Sequence, residues 1–181
     1  AQWAIQNAKT AIELFCGAVV NHPVQEEKKI LKPISISFTV PGLWEFIAKE
    51  EFAVNPLEIA RVRITRIESL FKKYMLSKEE RNILWTELRL WEPQQNVPPH
   101  FITHERGERV EITLYHFHET LARKQAAQDY TWVCCYVRGV DGLLWMVRAY
   151  WNEGWEIDAL FQDRDLPVAS NLGPGCQVVS R

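Results

Sequence analysis

Three short runs of mainly apolar residues, separated by two turn sequences, dominate the C-terminal half of the chain. The runs cover residues 130–138, 143–151 and 155–161, and the residues between them are rich in Gly, Asp and Asn, which favour tight turns. The first two runs are apolar on both faces, whereas the third is apolar on one face only. The pattern predicts a three-stranded antiparallel meander whose first two strands are central and covered on both sides.

Further strands are predicted at residues 34–40, 109–118 and 176–180. In the first, Ile, Phe and Val alternate with Ser and Thr, which is typical of a strand with one buried face. In the second, the even-numbered positions from Val110 to His118 share one face, because successive side chains of a strand point to opposite sides. These strands are expected to join the meander in one sheet.

Apolar residues spaced three and four apart predict helices in the N-terminal half, at residues 3–19, 43–52, 57–74 and 78–91. The last helix is expected to begin with a capping box, in which Ser77 and Glu80 satisfy each other's free backbone donors. A strand is the competing interpretation around residues 60–65, because apolar and polar residues alternate there as well.

Together these elements predict an α+β fold. Its antiparallel sheet consists of the C-terminal meander region, residues ~109–180, and a strand near 34–40, with the N-terminal helices packed on one face. We expect a single domain over residues 1–181, with a helix-rich part, 1–92, and a strand-rich part, 108–181. The segment 93–107 contains several prolines and no sustained period, which predicts a loop between the two parts.

Composition indicates a soluble globular protein and excludes several classes. Of the 181 residues, 47% are hydrophobic and 24% charged, which argues against disordered and fibrous proteins. The formal charge of −2 gives no global attraction to nucleic acid or to anionic membranes. No run approaches the ~20 apolar residues of a membrane span. The four cysteines show no metal-binding spacing, so we expect free thiols, a cytoplasmic location and no membrane association.

Histidines are the first candidates for catalysis or metal binding. His116 and His118 lie two apart on a predicted strand, so both rings would project from one face, as two metal ligands must. His100 and His104 precede them and could complete such a site with Glu119. Paired histidines that continue an apolar strand face are nevertheless more often hydrogen-bonded at the edge of a core. For this reason no metal ion or cofactor is predicted. A small metal-dependent or histidine-based hydrolase that uses His116 and His118 is kept as the alternative function.

Eight tryptophans are the one unusual feature of the composition. An exposed indole is a good binding group because it is large and flat and carries one N–H donor. An open face of the sheet would therefore bind a protein or peptide partner, with Arg138 and Arg148 available for carboxylates or phosphates. Packing in the core is the competing interpretation. The candidate partner-binding residues are Trp132, Trp145, Arg148, Tyr150, Trp151 and Trp155.

The leading functional hypothesis is a non-enzymatic interaction or adaptor module. It would bind a protein or peptide partner through the aromatic-rich sheet face or the Pro-rich segment 93–107. The sequence contains no phosphate-binding loop, no dinucleotide-binding motif, no nucleophile elbow and no HExxH metallopeptidase motif. The hypothesis is therefore supported by the high number of tryptophans, the near-neutral charge and the lack of a catalytic motif.

A further hypothesis is nucleic-acid binding through the basic helices predicted within residues 57–81. Positive side chains on one side of such helices could follow a phosphate backbone. Glu58 and Glu68 are interleaved with them, so a solvated helix face is the simpler interpretation. The basic residues concerned are Arg61, Arg63, Arg66, Lys72 and Lys73.

Overall fold

Two β-sheets form the larger share of the regular structure in the described chain, and the larger sheet has seven strands. The computed structural model describes residues 29–55, 57–161 and 171–181. In chain order the strands are β1 (Leu31–Val40), β2 (Leu43–Ile47), β3 (Ile64–Ile67), β4 (Glu79–Ile83), β5 (Thr86–Pro93), β6 (Trp132–Arg138), β7 (Leu144–Trp151), β8 (Trp155–Phe161) and β9 (Cys176–Ser180).

The large sheet has the order β1-β5-β9-β6-β7-β8-β3, and β2 pairs with β4 in a separate antiparallel ribbon. Most neighbouring strands of the large sheet are antiparallel. Two pairs are parallel, namely β9 with β6 and β3 with β8. The predicted meander is confirmed as β6, β7 and β8, and the strands predicted near 34–40 and 176–180 join the same sheet.

Within residues 29–55, 57–161 and 171–181, four α-helices accompany the sheets: α1 (Ala48–Glu51), α2 (Ser69–Tyr74), α3 (Pro99–Arg106) and α4 (Leu114–Ala126). A short 3-10 helix, Gly107–Val110, lies between α3 and α4. Among the residues that the structure describes, no helix combines the length and the apolar character needed to cross a membrane.

The two faces of the large sheet build separate cores. Val133 and Cys135 point to the side on which α4 packs, which is called the α4 face. Cys134 and Tyr136 point to the opposite side, where Ile102 of α3 packs, and this side is called the α3 face. Alternate residues of one strand thus enter different cores, because successive side chains point to opposite sides of a sheet. The double coverage explains why β6 and β7 are apolar on both faces.

The helix predicted for residues 78–91 is wrong, because this segment forms β4, a turn and β5. Leu88 and Leu90 are buried and the residue between them is exposed, which is the period of a strand. Glu80, predicted to form a capping box with Ser77, instead accepts hydrogen bonds from the first turn of α4. Pairing of β5 with β1 and β9 decides the conformation, and such distant partners leave no local signal in the sequence.

The other helices predicted for the N-terminal half are also corrected. Residues 43–52 form β2 and the short α1, and residues 57–74 contain β3 and the short α2. The competing strand interpretation around residues 60–65 applies from Ile64 onward, where β3 begins. The helix predicted at residues 3–19 lies outside the described residues. In the described part of this half, strands and two short helices replace the long helices expected on the sheet.

The strand predicted for residues 109–118 is wrong, because α4 begins at Leu114. Every residue from Leu114 to Ala122 is buried. One side of α4 faces the large sheet, and Phe46 of β2 contacts Tyr115 on another side, with 5.6 Å between ring centroids. A helix that is buried all round has no single apolar stripe, so its sequence is easily mistaken for a buried strand.

The Pro-rich segment 93–107, predicted as a loop, contains α3. Pro99 occupies the first turn of this helix, where the missing N–H group has no partner to lose. Ile102 is fully buried on the α3 face. The carboxylate of Glu105 accepts hydrogen bonds from the main-chain N–H groups of residues 30 and 31, which fixes α3 beside β1.

Replacement of Glu80 by glutamine should destabilise the protein. The buried carboxylate accepts hydrogen bonds from the N–H groups of Leu114 (2.9 Å) and Tyr115 (3.0 Å), and Lys78 lies 2.9 Å away. A neutral amide loses the favourable interaction with the helix N-terminus and with Lys78. We expect Glu80→Gln to lower the free energy of unfolding by about 1–3 kcal/mol in urea denaturation.

The matched control is Glu79→Gln, because Glu79 is the exposed neighbour and pairs only with Arg81 among the described residues. An exposed ion pair contributes little, so this variant should unfold within about 0.5 kcal/mol of the wild type. Equal stabilities of the two variants would show that the Glu80 carboxylate does not anchor α4.

Candidate functional site

The six residues predicted to bind a partner divide between the two faces of the sheet. Trp145 and Trp155 are buried in the core of the α4 face, at 5% and 0% exposure. Trp151 packs against the same core, and its ring stacks on Tyr130 with 4.1 Å between centroids. These three tryptophans stabilise the fold, since their rings are largely enclosed by other apolar groups.

The other three residues, Trp132, Arg148 and Tyr150, lie together near one end of the α3 face. Trp132 is 49% exposed, and its ring centroid lies 5.9 Å from that of Tyr150. The Tyr150 hydroxyl donates a hydrogen bond to the Glu156 carboxylate at 3.0 Å. This corner of the sheet therefore presents one exposed indole beside polar groups that already have partners.

Arg148 is committed to a cross-strand ion pair. Its guanidinium donates two hydrogen bonds to Asp158, from Nε at 2.9 Å and from Nη2 at 2.5 Å. The hydrogen bonding to Asp158 raises the pKa of Arg148, while burial acts in the opposite direction. Arg138 is likewise paired, since it donates two hydrogen bonds to the carboxylate of Glu111. Both arginines that were expected to bind carboxylates of a partner are therefore already paired with carboxylates of this chain.

A groove lies beside α3, between this helix and strands β1 and β5. Its volume is about 720 Å³. Phe101 projects into solvent from α3 with 46% of its surface exposed, and Trp91 of β5 lies half-buried in the lining. The guanidinium of Arg106 lies over the Trp91 ring, 4.0 Å from its centroid. The lining residues are Lys29, Ile30, Leu31, Pro33, Trp91, Phe101, His104, Glu105 and Arg106.

A second pocket of about 500 Å³ shares Trp91 and Arg106 with this groove. It is lined by Glu87, Arg89, Trp91, Arg106, Glu108, Arg109 and Arg181. We call the two together the Trp91 groove, with an apolar part beside Phe101 and a basic part beside Arg109. The apolar part could take hydrophobic side chains, and the basic part could take an anionic group.

The sequence indicates the segment 93–107, which contains Phe101 and Arg106, as a possible binding surface, but no pattern in it singles out these two residues or Trp91. It predicts Trp91 at the end of a helix and Phe101 in a loop. Two neighbouring prolines at 98 and 99 were the available signal, because proline is favoured in the first turn of a helix. The meeting of β5 with α3 could not be predicted, since it depends on how β5 pairs in the sheet.

The histidines do not form the arrangement that the sequence predicted. His116 and His118 lie two apart on a helix, so their rings point in different directions and share no strand face. His100 and His104 belong to α3, on the other side of the sheet. Within the described residues, no group of three or more His, Cys, Asp or Glu side chains could hold a metal ion.

His116 takes part in the cap at the N-terminus of α4. The Nδ1 atom of His116 accepts a hydrogen bond from the N–H of Thr113, and the Thr113 hydroxyl accepts one from the N–H of His116. This reciprocal pair caps the N-terminus of α4. Burial lowers the pKa of His116, while the negative charge of Glu80 and the carbonyl of Leu84 oppose that shift.

His118 packs between aromatic rings, with centroids 5.9 Å from Phe46 and 5.4 Å from Phe52. Burial, together with the positive charge of Arg61, lowers the pKa of His118 from 6.5 to about 4. The carboxylate of Glu51 lies 3.8 Å from Nε2 and is half-exposed, so water screens its attraction for a proton on the ring.

The basic residues within 57–81 do not follow one helical face, since the structure has β3 and α2 there in place of the predicted helices. Arg61 lies 2.6 Å from the Glu119 carboxylate, and Arg66 lies 2.6 Å from that of Glu68. These arginines are partly neutralised, which reduces their attraction for phosphate groups.

Acidification should weaken the fold through His118. The unfolded chain protonates this histidine near pH 6.5, whereas the native state does so only near pH 4. Above about pH 6.5 His118 is neutral in both states and does not reduce the free energy of unfolding. As the pH falls toward about 4, only the unfolded chain binds the proton, so the free energy of unfolding decreases. We expect a loss of roughly 3 kcal/mol in the free energy of unfolding across this window, measured by urea denaturation at several pH values.

In His118→Gln this part of the pH dependence should disappear, since the unfolded chain then has no extra site for the proton. His104→Gln, at an exposed position of α3, is the matched control. If His118→Gln and the wild type lost stability in parallel on acidification, burial of His118 would not be the cause.

Comparison with known proteins does not assign the chain to a family. No family model matches the chain. No curated protein and no solved structure is detectably similar to it either. The candidate function therefore depends on the geometry of the described residues.

Proposed function

We propose that the protein is a non-enzymatic interaction module that binds a peptide segment of a protein partner in the Trp91 groove. The observation that carries the proposal is the groove of about 720 Å³ between α3 and the sheet, with Phe101 46% exposed on its rim. A large aromatic side chain that is exposed beside a concave apolar surface is a typical centre of a peptide-binding site.

The groove also suits a peptide because its walls are held in place. Glu105 accepts hydrogen bonds from the main-chain N–H groups of residues 30 and 31, so α3 is tied to the first residues of β1. Tyr136 of β6 donates a hydrogen bond to the main-chain carbonyl of Pro99 at 3.0 Å, which ties α3 to the middle of the sheet. A pre-formed groove loses less conformational entropy when it binds a ligand.

The Pro-rich segment with α3 and the exposed aromatic residue Trp132 both lie on the α3 face, and the groove is favoured over the corner at Trp132. Around Trp132, the polar groups of Arg148 and Tyr150 already interact with Asp158 and Glu156. A partner that used them would have to displace these interactions at a cost. Phe101 in the groove requires no such displacement.

Selection of peptides from a random display library, followed by fluorescence anisotropy, tests this proposal. Peptides selected on the wild type should bind Phe101→Ala at least about tenfold more weakly, because truncation of a central aromatic typically costs that much or more. Trp44→Ala is the matched control, since Trp44 is 75% exposed on β2, away from the groove, and should bind like the wild type.

Two outcomes would contradict the proposal. If Trp132→Ala abolished binding and Phe101→Ala did not, the partner would bind at the exposed corner of the sheet and the groove would be excluded. If no selected peptide bound the wild type more tightly than it bound the Phe101→Ala and Trp132→Ala variants, the protein would not be a peptide-binding module of this kind.

A further inference from the structure

The basic part of the Trp91 groove carries more positive than negative side chains. Four arginines and two glutamates line this pocket of about 500 Å³, which leaves an excess of two positive charges. The whole chain, in contrast, has a formal charge of −2. The pocket is thus a local concentration of positive charge on a protein that has no overall attraction for anions.

Most of these guanidinium groups have no acidic side chain as a partner. Within the described part of the chain, no Asp or Glu carboxylate oxygen lies within 4.0 Å of a guanidinium nitrogen of Arg106, Arg109 or Arg181, whereas Arg89 lies 3.5 Å from Glu87. This differs from Arg138 and Arg148 on β6 and β7, which are each neutralised by an acidic side chain. Cations without counter-ions in a concave pocket are available to a ligand.

Arg106 lines both parts of the Trp91 groove, and its guanidinium is held in place by several contacts. Its Nε donates a hydrogen bond to the Ser180 hydroxyl at 3.2 Å, and its Nη2 donates one to the main-chain carbonyl of Arg181 at 2.9 Å. The same guanidinium stacks over Trp91. Because these contacts fix its plane, Arg106 needs little further ordering to bind a carboxylate or phosphate.

The neighbouring cations repel one another. The pKa of Arg106 is lowered by burial and then by the positive charge of Arg109, while Glu105 opposes this shift and Arg89 adds to it. An anion placed between the guanidinium groups would relieve this repulsion and form charge-assisted hydrogen bonds with them.

We propose that the arginine pocket binds an anionic side chain of the peptide that occupies the groove, so that the partner segment carries a phosphorylated or carboxylate residue next to apolar residues. This inference rests on the proposed function. The apolar neighbours would lie beside Phe101 and Pro33, and the anion would lie beside Arg106 and Arg109. Clusters of arginine are a recurrent means of recognising phosphorylated and acidic peptides.

A peptide is a better ligand than nucleic acid for this geometry. Nucleic-acid binding generally uses a row of phosphate contacts along an extended basic surface. Here the excess charge is confined to one pocket, and it adjoins a larger apolar groove that a phosphate backbone would leave unfilled.

The test uses three matched libraries of nine-residue peptides whose central residue is phosphoserine, glutamate or serine and whose other positions are degenerate. The full-length protein is immobilised, and the retained fraction of each library is measured at low ionic strength. The wild type should retain the phosphoserine or the glutamate library at least about tenfold more strongly than the serine library, as expected for charged hydrogen bonds. The ratio of the two anionic libraries identifies the kind of anion.

A double variant, Arg89→Gln with Arg109→Gln, should reduce retention of the anionic libraries to the level of the serine library. Both side chains are exposed, and the side chain of neither takes part in fixing α3 to the sheet. The charge-matched control is Lys72→Gln with Lys73→Gln, which removes two exposed positive charges from α2 and should bind like the wild type. This helix contacts β8, which three strands separate from β5 in the large sheet.

The outcomes separate this inference from the proposed function. If the serine library is retained as strongly as the anionic ones and Phe101→Ala weakens its retention, the groove binds peptides but the arginine pocket does not select anions. If no library is retained, the proposed function fails and this inference fails with it. Tighter binding of a single-stranded oligothymidylate that depends on Arg89 and Arg109 would overturn the assignment of the ligand as a peptide.

Discussion

Burial of α4 between the large sheet and the β2–β4 ribbon is the constraint on which the rest of the described structure depends. A helix enclosed on all sides must satisfy its polar groups without water. Its first turn donates to the Glu80 carboxylate. Near its other end, the buried amine of Lys124 donates to Asp129 at 2.6 Å and to Gln177 of β9 at 2.8 Å. These contacts join α4 to β4 and β9, which lie far from it in the sequence.

The same constraint explains where a partner can bind. The α4 face of the large sheet is filled by α4 and by aromatic side chains such as Phe52 and Phe71, whose ring centroids are 5.1 Å apart. The tryptophans Trp145 and Trp155 on that face contribute to the core. The opposite face is covered by a shorter helix, α3, and the Trp91 groove lies beside it. A short helix over a wide sheet leaves concave space at its side, and exposed aromatic and basic groups line that space.

Secondary structure was predicted correctly where the turn residues and the alternation of a strand are visible in its own sequence. It was predicted wrongly for a helix that is buried on all sides and for a strand whose conformation depends on pairing with distant segments. The meander of β6, β7 and β8 was predicted because turn residues separate its strands. The segment that forms α4 was predicted as a strand because residues on every side of the helix are buried. Its apolar residues therefore do not recur with the helical period of 3.6 residues. The strand β5 was missed because Leu84 and Leu88 are four residues apart, as on a helix, although Leu84 is 78% exposed. For the candidate site, Trp132 is a predicted partner-binding residue and is 49% exposed. Phe101 and Arg106 lie in the predicted binding segment 93–107 without being singled out, and Trp91 is not predicted.

The sequence by itself determined a mixed α and β protein with a mostly antiparallel sheet, and it determined which strands form the centre of that sheet. Alternation, turn residues and apolar runs are local properties, so they can be recognised without a structure. Only the tertiary structure decided that β9 lies between β5 and β6, that α3 packs beside Trp91, and that Arg89, Arg106, Arg109 and Arg181 line one pocket. These features join segments that are distant along the chain, and their contacts depend on strand order and helix packing, which no local pattern records.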